Sequence, residues 1–365
     1  MKKHVGGALL AGALAATVAV AGCGSGTSSP NSSATPQAAG TGAKVVGAKT
    51  IGLLLQSKAS EYAVRAISSS QEAIDLLGWK MVQLDAQADP QKVVTNLQTF
   101  VTQKVDAVMS TAWSADVLRQ PLQAANNAKI PVVNVWAEVP KSPLFAGQLG
   151  PSETSMGTVA ADEFIKLLPK GGPVAYFNSK QFGFGAIRGK ILEDKINAAG
   201  NIQIVATHQT DYTNVQADTT KALTDILNAH PDIVGLYLDS STTVPQAVQV
   251  LKAKGLCGKV AVVTYYGDLP NLAAVRDGCV NVLVDVPVFP LMWTELDLLA
   301  ANLANGTPIP QDGPPSTGYP FPPAKVLTIT KANVPQDPTK YFDIDYDFRS
   351  YFKDRWAKGL YGPTS

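Results

Sequence analysis

Residues that could carry out catalysis are few in this chain and are not grouped. The three histidines are His4 in the N-terminal apolar stretch, His208 inside a strand-like run and His230 before a proline. They leave no set of nucleophile, base and orienting group. The stretch QFGFGAIRGK resembles a phosphate-binding loop, but Phe184 and Ile191 stand where that loop needs glycine and serine or threonine. No cluster of histidines and cysteines indicates a metal site, so we expect no enzyme, no metal and no cofactor.

The three cysteines lie in two kinds of surroundings. Cys23 directly follows residues 1–22, which begin Met-Lys-Lys and continue as an apolar run of small residues. That pattern is typical of a secretory signal peptide rather than of a permanent membrane span. Cys257 and Cys279 each precede a strand-like run. Consecutive strands of a parallel sheet usually lie side by side, so an exported chain is expected to join these two thiols in a disulfide; two separate buried thiols are the alternative.

The residues Val20-Ala21-Gly22-Cys23 resemble the lipobox of bacterial lipoproteins. The resemblance implies that Cys23 is acylated, becomes the first residue of the mature chain and anchors it to the outer face of the cell membrane. Two or three acyl chains give stable anchorage, whereas one holds only marginally. Residues 23–48, rich in Ser, Thr, Ala, Gly and Pro, are predicted to be the lipidated cysteine and a flexible linker.

Charge also limits the function of the mature chain. Without residues 1–22 it would carry 28 Lys and Arg against 29 Asp and Glu, with no basic run. This balance argues against nucleic acid as a partner and against electrostatic binding to a membrane surface.

Behind the linker, apolar strand-like runs alternate with amphipathic stretches of helical length. The runs TIGLLLQ, WKMVQLD, DAVMST and PVVNVW alternate with stretches such as PQKVVTNLQTFVTQ, and the same alternation resumes after Pro151. Continuous apolar strands separated by helices imply parallel sheets covered on both faces. We therefore expect an α/β protein with two domains.

The two halves of this region repeat one pattern. Asp106 opens a strand that is followed by a helix and by IPVVNVW, and Asp232 opens a strand that is followed by a helix and by KVAVVTYY. On this parallel Trp136 and Tyr266 occupy equivalent strand ends, and Tyr265 faces the other side of its strand. Open α/β sheets bind ligands at the carboxyl ends of their strands, so the two ends are expected to face each other across a cleft.

Three local patterns give the chain a family resemblance. Gly78-Trp79 ends the first helix, residues 85–90 form a DAQADP turn, and His230 to Asp232 form HPD before a central strand. In their order and spacing over residues 49–330 these resemble type I periplasmic binding proteins, specifically the ribose-binding-like solute receptors of ABC importers. The resemblance implies an α/β fold of two Rossmann-like lobes with parallel sheets, joined by a three-crossing hinge and closing on one small molecule.

The same resemblance implies the domain limits. The N-terminal lobe would comprise 49–150 plus 286–317, and the C-terminal lobe 151–285 plus 318–330. Residues 331–365 would be an aromatic-rich C-terminal extension, either strapped over the outside of a lobe or reaching the cleft or a partner. Related transcription regulators carry an N-terminal helix-turn-helix in place of the signal, lipobox and linker seen here, so a regulator is not expected.

The positions that contact the ligand in this family can be compared with this chain one at a time. After the first strand the family often has Asn-Pro and two aromatic residues, where this chain has Ser60, Tyr62 and Ala63. Asp-Arg commonly ends the strand after IPVV, where this chain has Trp136 and Ala137. Aromatic residues therefore replace several charged ones.

The second lobe departs from the family in the same direction. An expected arginine falls near Ala186, with Phe184 beside it. Asp239 occupies the position at which the family has an Asn near the hinge. Tyr266 occupies the position of a family Asp, and Asp285 that of a family Gln. Asp239 and Asp285 could instead serve as helix caps.

Trp113 extends the predicted pocket, because it follows VMSTA as Trp136 follows its own strand; a core position is the alternative. The predicted ligand-binding residues are Ser60, Tyr62, Trp113, Trp136, Phe184, Asp239, Tyr266 and Asp285. Aromatic faces pack on sugar rings while carboxylates accept from hydroxyl groups, so a sugar or polyol is favoured. A small cation held by the two acids and the aromatic faces is the rival.

These observations predict an exported, lipid-anchored solute-binding receptor that acts as a monomer and delivers its ligand to an ABC permease. The alternative is a sensory receptor that passes ligand occupancy to a chemoreceptor or sensor kinase.

Overall fold

The computed structural model describes residues 46–364. The predicted signal peptide, Cys23 and most of the predicted linker lie outside this range. Within it, no helix has the length and apolar character needed to cross a membrane. The folded body begins slightly earlier than expected, because Val46 is buried and its N–H donates to the Tyr361 hydroxyl (3.2 Å).

The first sheet contains five parallel strands in the order β2-β1-β3-β4-β5. They are β1 (Thr50–Leu55), β2 (Lys80–Asp85), β3 (Ala107–Thr111), β4 (Val132–Val135) and β5 (Gly147–Gln148). Helices α1 (Glu61–Leu76), α2 (Pro90–Gln103) and α3 (Arg119–Asn127) connect the first four strands. Helix α2 begins where the sequence signals it, with Asp89 accepting from two backbone N–H groups and Pro90 in the first turn. Burial on both faces explains the continuous apolar runs of β1, β3 and β4.

The second sheet contains six strands in the order β11-β10-β9-β8-β6-β7. They are β6 (Gly172–Asn178), β7 (Ile202–Gln209), β8 (Gly235–Leu238), β9 (Ala261–Tyr265), β10 (Val282–Asp285) and β11 (Leu327–Ile329). All pair in parallel except β11, which is antiparallel to β10. The surrounding helices are α4 (Glu153–Leu167), α5 (Gly183–Ala199), α6 (Val215–Ala229), α7 (Val244–Ala253) and α8 (Leu269–Arg276).

The chain passes between the two sheets three times. It leaves the first sheet after β5 and enters α4, which packs on α5 and on β9 and β10. It returns after β10 into α9 (Val288–Asn305), which packs on α1, and it crosses again to reach β11. Most of α9 is buried, in keeping with its largely apolar sequence. The predicted architecture of two α/β lobes with parallel sheets is confirmed.

The predicted Cys257–Cys279 disulfide is present, with the two Cα atoms 4.3 Å apart. Each cysteine lies just before one of the paired strands β9 and β10, as the sequence argument requires. The bond therefore ties together the two connections that enter these strands.

The C-terminal segment packs on α9. Helix α10 (Phe348–Trp356) places Trp356 parallel to Trp293 of α9, with ring centroids 5.4 Å apart. Asp297 of α9 accepts from the indole of Trp356 (2.7 Å) and from the N–H of Gly362 (2.9 Å). Earlier in the segment, the Tyr341 hydroxyl donates to Glu61 at the start of α1 (2.8 Å). The segment thus covers the outside of one lobe and also reaches the junction of the two lobes.

Candidate functional site

A cavity of about 390 Å³ lies between the two lobes. Its wall comes from the chain just beyond β1, β3 and β4 on one side, and from the chain beyond β8 and β9 with the first turns of α5 on the other. This is the location at which open α/β sheets bind ligands. The lining includes Glu61, Tyr62, Trp136, Phe184, Arg188, Tyr266, Asp268 and Asn271.

Trp136 and Tyr266 occupy equivalent positions in the two lobes, as the repeat in the sequence predicted. Each is the residue directly after a strand, β4 or β9, and each lines the cavity. Both have left-handed backbone conformations, with φ of 69° for Trp136 and 57° for Tyr266. Bulky residues rarely adopt this region, and they do so most often at functional sites. Tyr265 points the other way, and its hydroxyl hydrogen-bonds that of Tyr237 inside the second lobe.

Helix α1 brings two more predicted residues to the cavity. The Tyr62 ring packs against the Tyr266 ring with centroids 4.2 Å apart, and its hydroxyl donates to the carbonyl of Trp136 (3.0 Å). Ser60 lines the cavity, and its hydroxyl also caps the helix by accepting from the N–H of Ala63 (3.1 Å). The predicted Phe184 lines the cavity from the first turn of α5.

Asp239 differs from the prediction because its carboxylate turns away from the cavity. It accepts from the N–H of Ser179 (2.7 Å), from the Ser179 hydroxyl (2.6 Å) and from Tyr176 (3.3 Å). Burial raises its pKa to about 6. The three residues that follow, Ser240, Ser241 and Thr242, line the cavity in its place.

Asp285 and Trp113 are also outside the cavity lining. The Asp285 carboxylate accepts from the N–H groups of Gly267 (2.7 Å) and Val286 (2.8 Å), which fixes the loop after β9. Burial raises the pKa of Asp285, although Arg65 opposes the shift. Trp113 is a core residue that packs edge-on against Phe182, with centroids 5.7 Å apart. Both side chains therefore stabilise the lobes around the site.

Arg188 is the main cavity residue that the sequence argument missed. Its guanidinium pairs with Glu153 (Nε to Oε2, 2.6 Å), and it donates to the Tyr266 hydroxyl (2.9 Å) and to the carbonyl of Asp239. It also lies over the ring of Tyr265, 3.8 Å from the centroid. The family resemblance implies an arginine near Ala186, but α5 brings the long Arg188 side chain to the same wall from its second turn. Apart from its place near the start of a helix, the sequence carries no signal for it.

Contacts between the lobes border the cavity. Arg65 of α1 pairs with Asp268, which precedes α8, at 2.9 Å, and both side chains are buried. Burial raises the pKa of Asp268 to about 6, against the opposing effect of Arg65. Glu61 accepts from the N–H of Leu269, the first residue of α8, at 3.0 Å. The start of α1 in one lobe is thus bonded to the start of α8 in the other.

The charged groups in the cavity wall already have partners within the protein. Arg188 is paired with Glu153, Asp268 with Arg65, and Glu61 accepts from the second lobe and from Tyr341. The remaining polar lining consists of hydroxyl and amide groups, and the apolar lining combines five aromatic rings with alanine, proline and valine side chains. Among residues 46–364, no group of three or more His, Cys, Asp and Glu is placed to hold a metal ion. The wall is therefore suited to a neutral molecule with both polar groups and apolar faces.

Comparison with known proteins agrees with this geometry. A model of the periplasmic binding protein domain matches residues 51–307. The ribose import binding protein of Salmonella typhimurium is 25% identical over 251 residues, covering 67% of this chain and 82% of that protein. The fructose import binding protein of Bifidobacterium longum is 25% identical over 293 residues, covering 77% of this chain and 84% of that protein.

Solved structures give the same fold. An ABC sugar transporter subunit from Rhodobacter sphaeroides superposes with a TM-score of 0.69 at 22% identity, covering 78% of this chain and 99% of that one. An ABC transporter solute-binding protein from Agrobacterium vitis with bound allitol also has a TM-score of 0.69 at 22% identity, covering 79% and 97%. The relatives are binding proteins and not enzymes. The match over residues 51–307 shows that the chain belongs to the periplasmic binding protein family, and the superposed structures show that it has the two-lobed type I fold.

Proposed function

We propose that the protein captures a neutral sugar or polyol between its lobes and delivers it to an ABC permease, acting as a monomer. The observation that carries this proposal is the cavity wall, in which aromatic rings lie beside hydroxyl and amide groups while each charged group is paired within the protein. Apolar ring faces of a sugar pack on aromatic side chains, and its hydroxyl groups need neutral donors and acceptors. The names of the relatives, which include ribose and fructose import binding proteins, point the same way.

A small cation is less well supported as the ligand. That hypothesis needed Asp239 and Asp285 in the wall, but both carboxylates are turned toward backbone N–H groups of the second lobe. Glu61 and Asp268, the acids that do line the cavity, are bonded across the lobe junction. A cation would have to compete with these contacts.

A thermal-unfolding screen of sugars and polyols on residues 46–365 tests the proposal. A ligand at ~100 times its Kd stabilises the folded state by about 2.7 kcal/mol, which is a readily measured shift. Affinity for the compound that emerges is then measured for Trp136→Leu and for Trp113→Leu. Each variant removes one indole, but only Trp136 lines the cavity.

We expect Trp136→Leu to weaken binding by one to two decades, roughly 1.4 to 2.8 kcal/mol, and Trp113→Leu to keep the affinity while lowering the unfolding temperature. Equal losses of affinity in the two variants would indicate that the ligand does not bind against Trp136 in the cavity. Unchanged melting curves with every sugar and polyol would contradict the proposal itself.

We also propose that Cys23 is acylated and anchors the chain to the membrane. The support is the sequence alone: a signal-like run ends at Val20-Ala21-Gly22-Cys23, and a linker of small and polar residues follows. Cys23→Ala should abolish incorporation of labelled fatty acid and leave the protein unprocessed or released from membranes. Unchanged labelling and membrane retention in that variant would refute the anchor.

A further inference from the structure

Trp136 is held in a conformation that its side chain disfavours. Its φ of 69° brings Cβ close to the following carbonyl, so a tryptophan keeps this backbone only where the surroundings enforce it. It lies just beyond the last paired position of its strand, where Val135 pairs with Thr111. The strand ladder therefore does not account for the backbone of Trp136.

Two side chains bond the backbone of Trp136 from two different helices. The N–H donates to Oε1 of Glu295 in α9 (3.1 Å), and the carbonyl accepts from the Tyr62 hydroxyl in α1 (3.0 Å). Both peptide groups that set the dihedral angles of Trp136 are thus engaged by side chains.

Among the described residues, the carboxyl group of Glu295 has no hydrogen bond besides the one from Trp136. It is fully buried on α9 and does not line the cavity. Its second oxygen, Oε2, has no hydrogen-bond partner among the described residues. Burial raises the pKa of Glu295 well above its ordinary value, and the bond from Trp136 only partly opposes the shift. A carboxyl group in such surroundings costs stability, so the single backbone bond that it makes calls for an explanation.

The second lobe provides a parallel. Tyr266, also left-handed, has its carbonyl bonded by the side-chain amide of Asn271 (3.2 Å), and its N–H donates to the carbonyl of Val284 (2.8 Å). Each of the two facing aromatic residues thus has both of its backbone groups bonded. In the first lobe, by contrast, the acceptor for the Trp136 N–H is the buried side chain of Glu295, which does not line the cavity.

We propose that Glu295 is a positioning residue for ligand binding, which holds Trp136 in its left-handed conformation so that the indole forms one wall of the cavity. The expected effect of Glu295 on ligand affinity rests on the proposed function. The dependence of the Trp136 backbone on Glu295 does not depend on which ligand binds.

The first measurement compares crystal structures of the protein and its variants. Glu295→Leu removes the acceptor at similar size, Glu295→Gln keeps an acceptor oxygen, and Thr294→Val removes a neighbouring hydrogen bond on α9, from Thr294 to the carbonyl of Pro290. We expect φ of residue 136 to leave the left-handed region in Glu295→Leu and to remain there in the other two. A Trp136 that keeps its conformation in Glu295→Leu would overturn the proposal.

The second measurement is calorimetric titration of the same proteins with D-ribose and with allitol. Glu295→Leu should bind about ten-fold more weakly than the parent, which is ~1.4 kcal/mol, while Glu295→Gln and Thr294→Val stay within about three-fold. In a Trp136→Leu background, Glu295→Leu should cause no further loss, because its effect passes through Trp136. A full additional loss would show a general structural role instead and would overturn the assignment.

The two measurements separate the two hypotheses. If the parent binds neither compound, that result counts against the proposed function, while the crystal structures still decide the role of Glu295. If Glu295→Leu does not fold, Glu295→Met removes the acceptor oxygen and keeps the length of the side chain. A Glu295→Met structure in which residue 136 keeps its left-handed φ would then overturn the proposal.

Discussion

Arg188 joins the cavity wall to the core of the second lobe. It is fully buried together with Glu153, and their helices, α5 and α4, pack on each other. Taking two charges out of water costs several kcal/mol per ion, so such a pair persists only when its donors are satisfied. Here the carboxylate, the Tyr266 hydroxyl and the Asp239 carbonyl accept from the guanidinium. The pair therefore fixes Tyr266 through the same network that stabilises the lobe.

Breaking this pair should be costly. Glu153→Leu leaves the Arg188 charge buried without its partner, and we expect a loss of about 3–5 kcal/mol in the free energy of unfolding. Adding Arg188→Leu should restore part of that loss, since the uncompensated charge is then gone. Urea unfolding of the single and double variants measures both effects.

The control lies between the same two helices. Asp162 and Lys195 form an exposed pair, so Asp162→Asn should change the unfolding free energy by only about 0–1 kcal/mol. A Glu153→Leu variant as stable as Asp162→Asn would contradict the expected cost of burial.

The sequence located strand ends correctly but could not say which way each side chain turns there. Trp136 and Tyr266 were predictable because the repeat placed them after equivalent strands, and both line the cavity. Asp239 and Asp285 also stand at strand ends, yet free backbone N–H groups nearby draw their carboxylates inward. Arg188 was missed because a long side chain can reach the wall from a residue beyond the loop.

Side chains of the C-terminal segment form much of the environment of helix α9. Asp297 accepts from Trp356, Gly362 and the Tyr319 hydroxyl, and the rings of Phe348, Phe352 and Trp356 surround Trp293. The density of aromatic residues in 331–365 showed that this segment needed a surface to pack on. It did not show which surface, because the contacts lie far away in sequence. Alternating apolar runs and helical stretches, by contrast, are local patterns, and they predicted the strands and helices of both lobes.

The burial of Asp297 should make stability depend on pH. Burial raises the pKa of Asp297 to about 6 from an ordinary value of 3.8, so the folded protein holds this proton more tightly than the unfolded chain. Its contribution to stability is fully present below the ordinary value and is lost as pH rises through 6. The unfolding free energy of the protein minus that of Asp297→Asn should therefore fall between about pH 4 and pH 7, by on the order of 2 kcal/mol.

Urea unfolding of the two proteins across this range measures the difference. Buried acids such as Asp239 and Asp268 titrate in both proteins, so their contributions cancel in the subtraction. A difference that does not change with pH would contradict the raised pKa of Asp297.

The two lobes are joined at their junction by polar contacts as well as by the chain crossings. Arg65 pairs with Asp268, Glu61 accepts from the first N–H of α8, and Tyr341 of the C-terminal segment donates to Glu61. The Tyr341 ring also lies under the Arg65 guanidinium, 4.7 Å from it. These contacts between the lobes favour the arrangement seen in this structure over more open ones.

Asp268→Asn should shift the molecule toward more open arrangements, since Arg65 loses its closest partner across the junction. We expect a larger radius of gyration in small-angle X-ray scattering and about ten-fold weaker sugar binding, because part of the binding free energy must then close the lobes. Asp277→Asn removes an exposed pair with Lys252 within the second lobe and should alter neither quantity. Identical scattering from Asp268→Asn and the parent would show that this ion pair does not hold the lobes together.

The parallel indoles of Trp293 and Trp356 make the docking of the C-terminal segment visible by optical spectroscopy. Their centroids are 5.4 Å apart and their planes differ by 9°, so their electronic transitions interact and contribute to the near-ultraviolet circular dichroism spectrum. One ring comes from α9 and the other from α10, so this signal exists only while the segment is docked. Release of the segment would remove the signal while the far-ultraviolet spectrum of the two lobes persists, which gives the protein an intrinsic, label-free chromophore for that single contact.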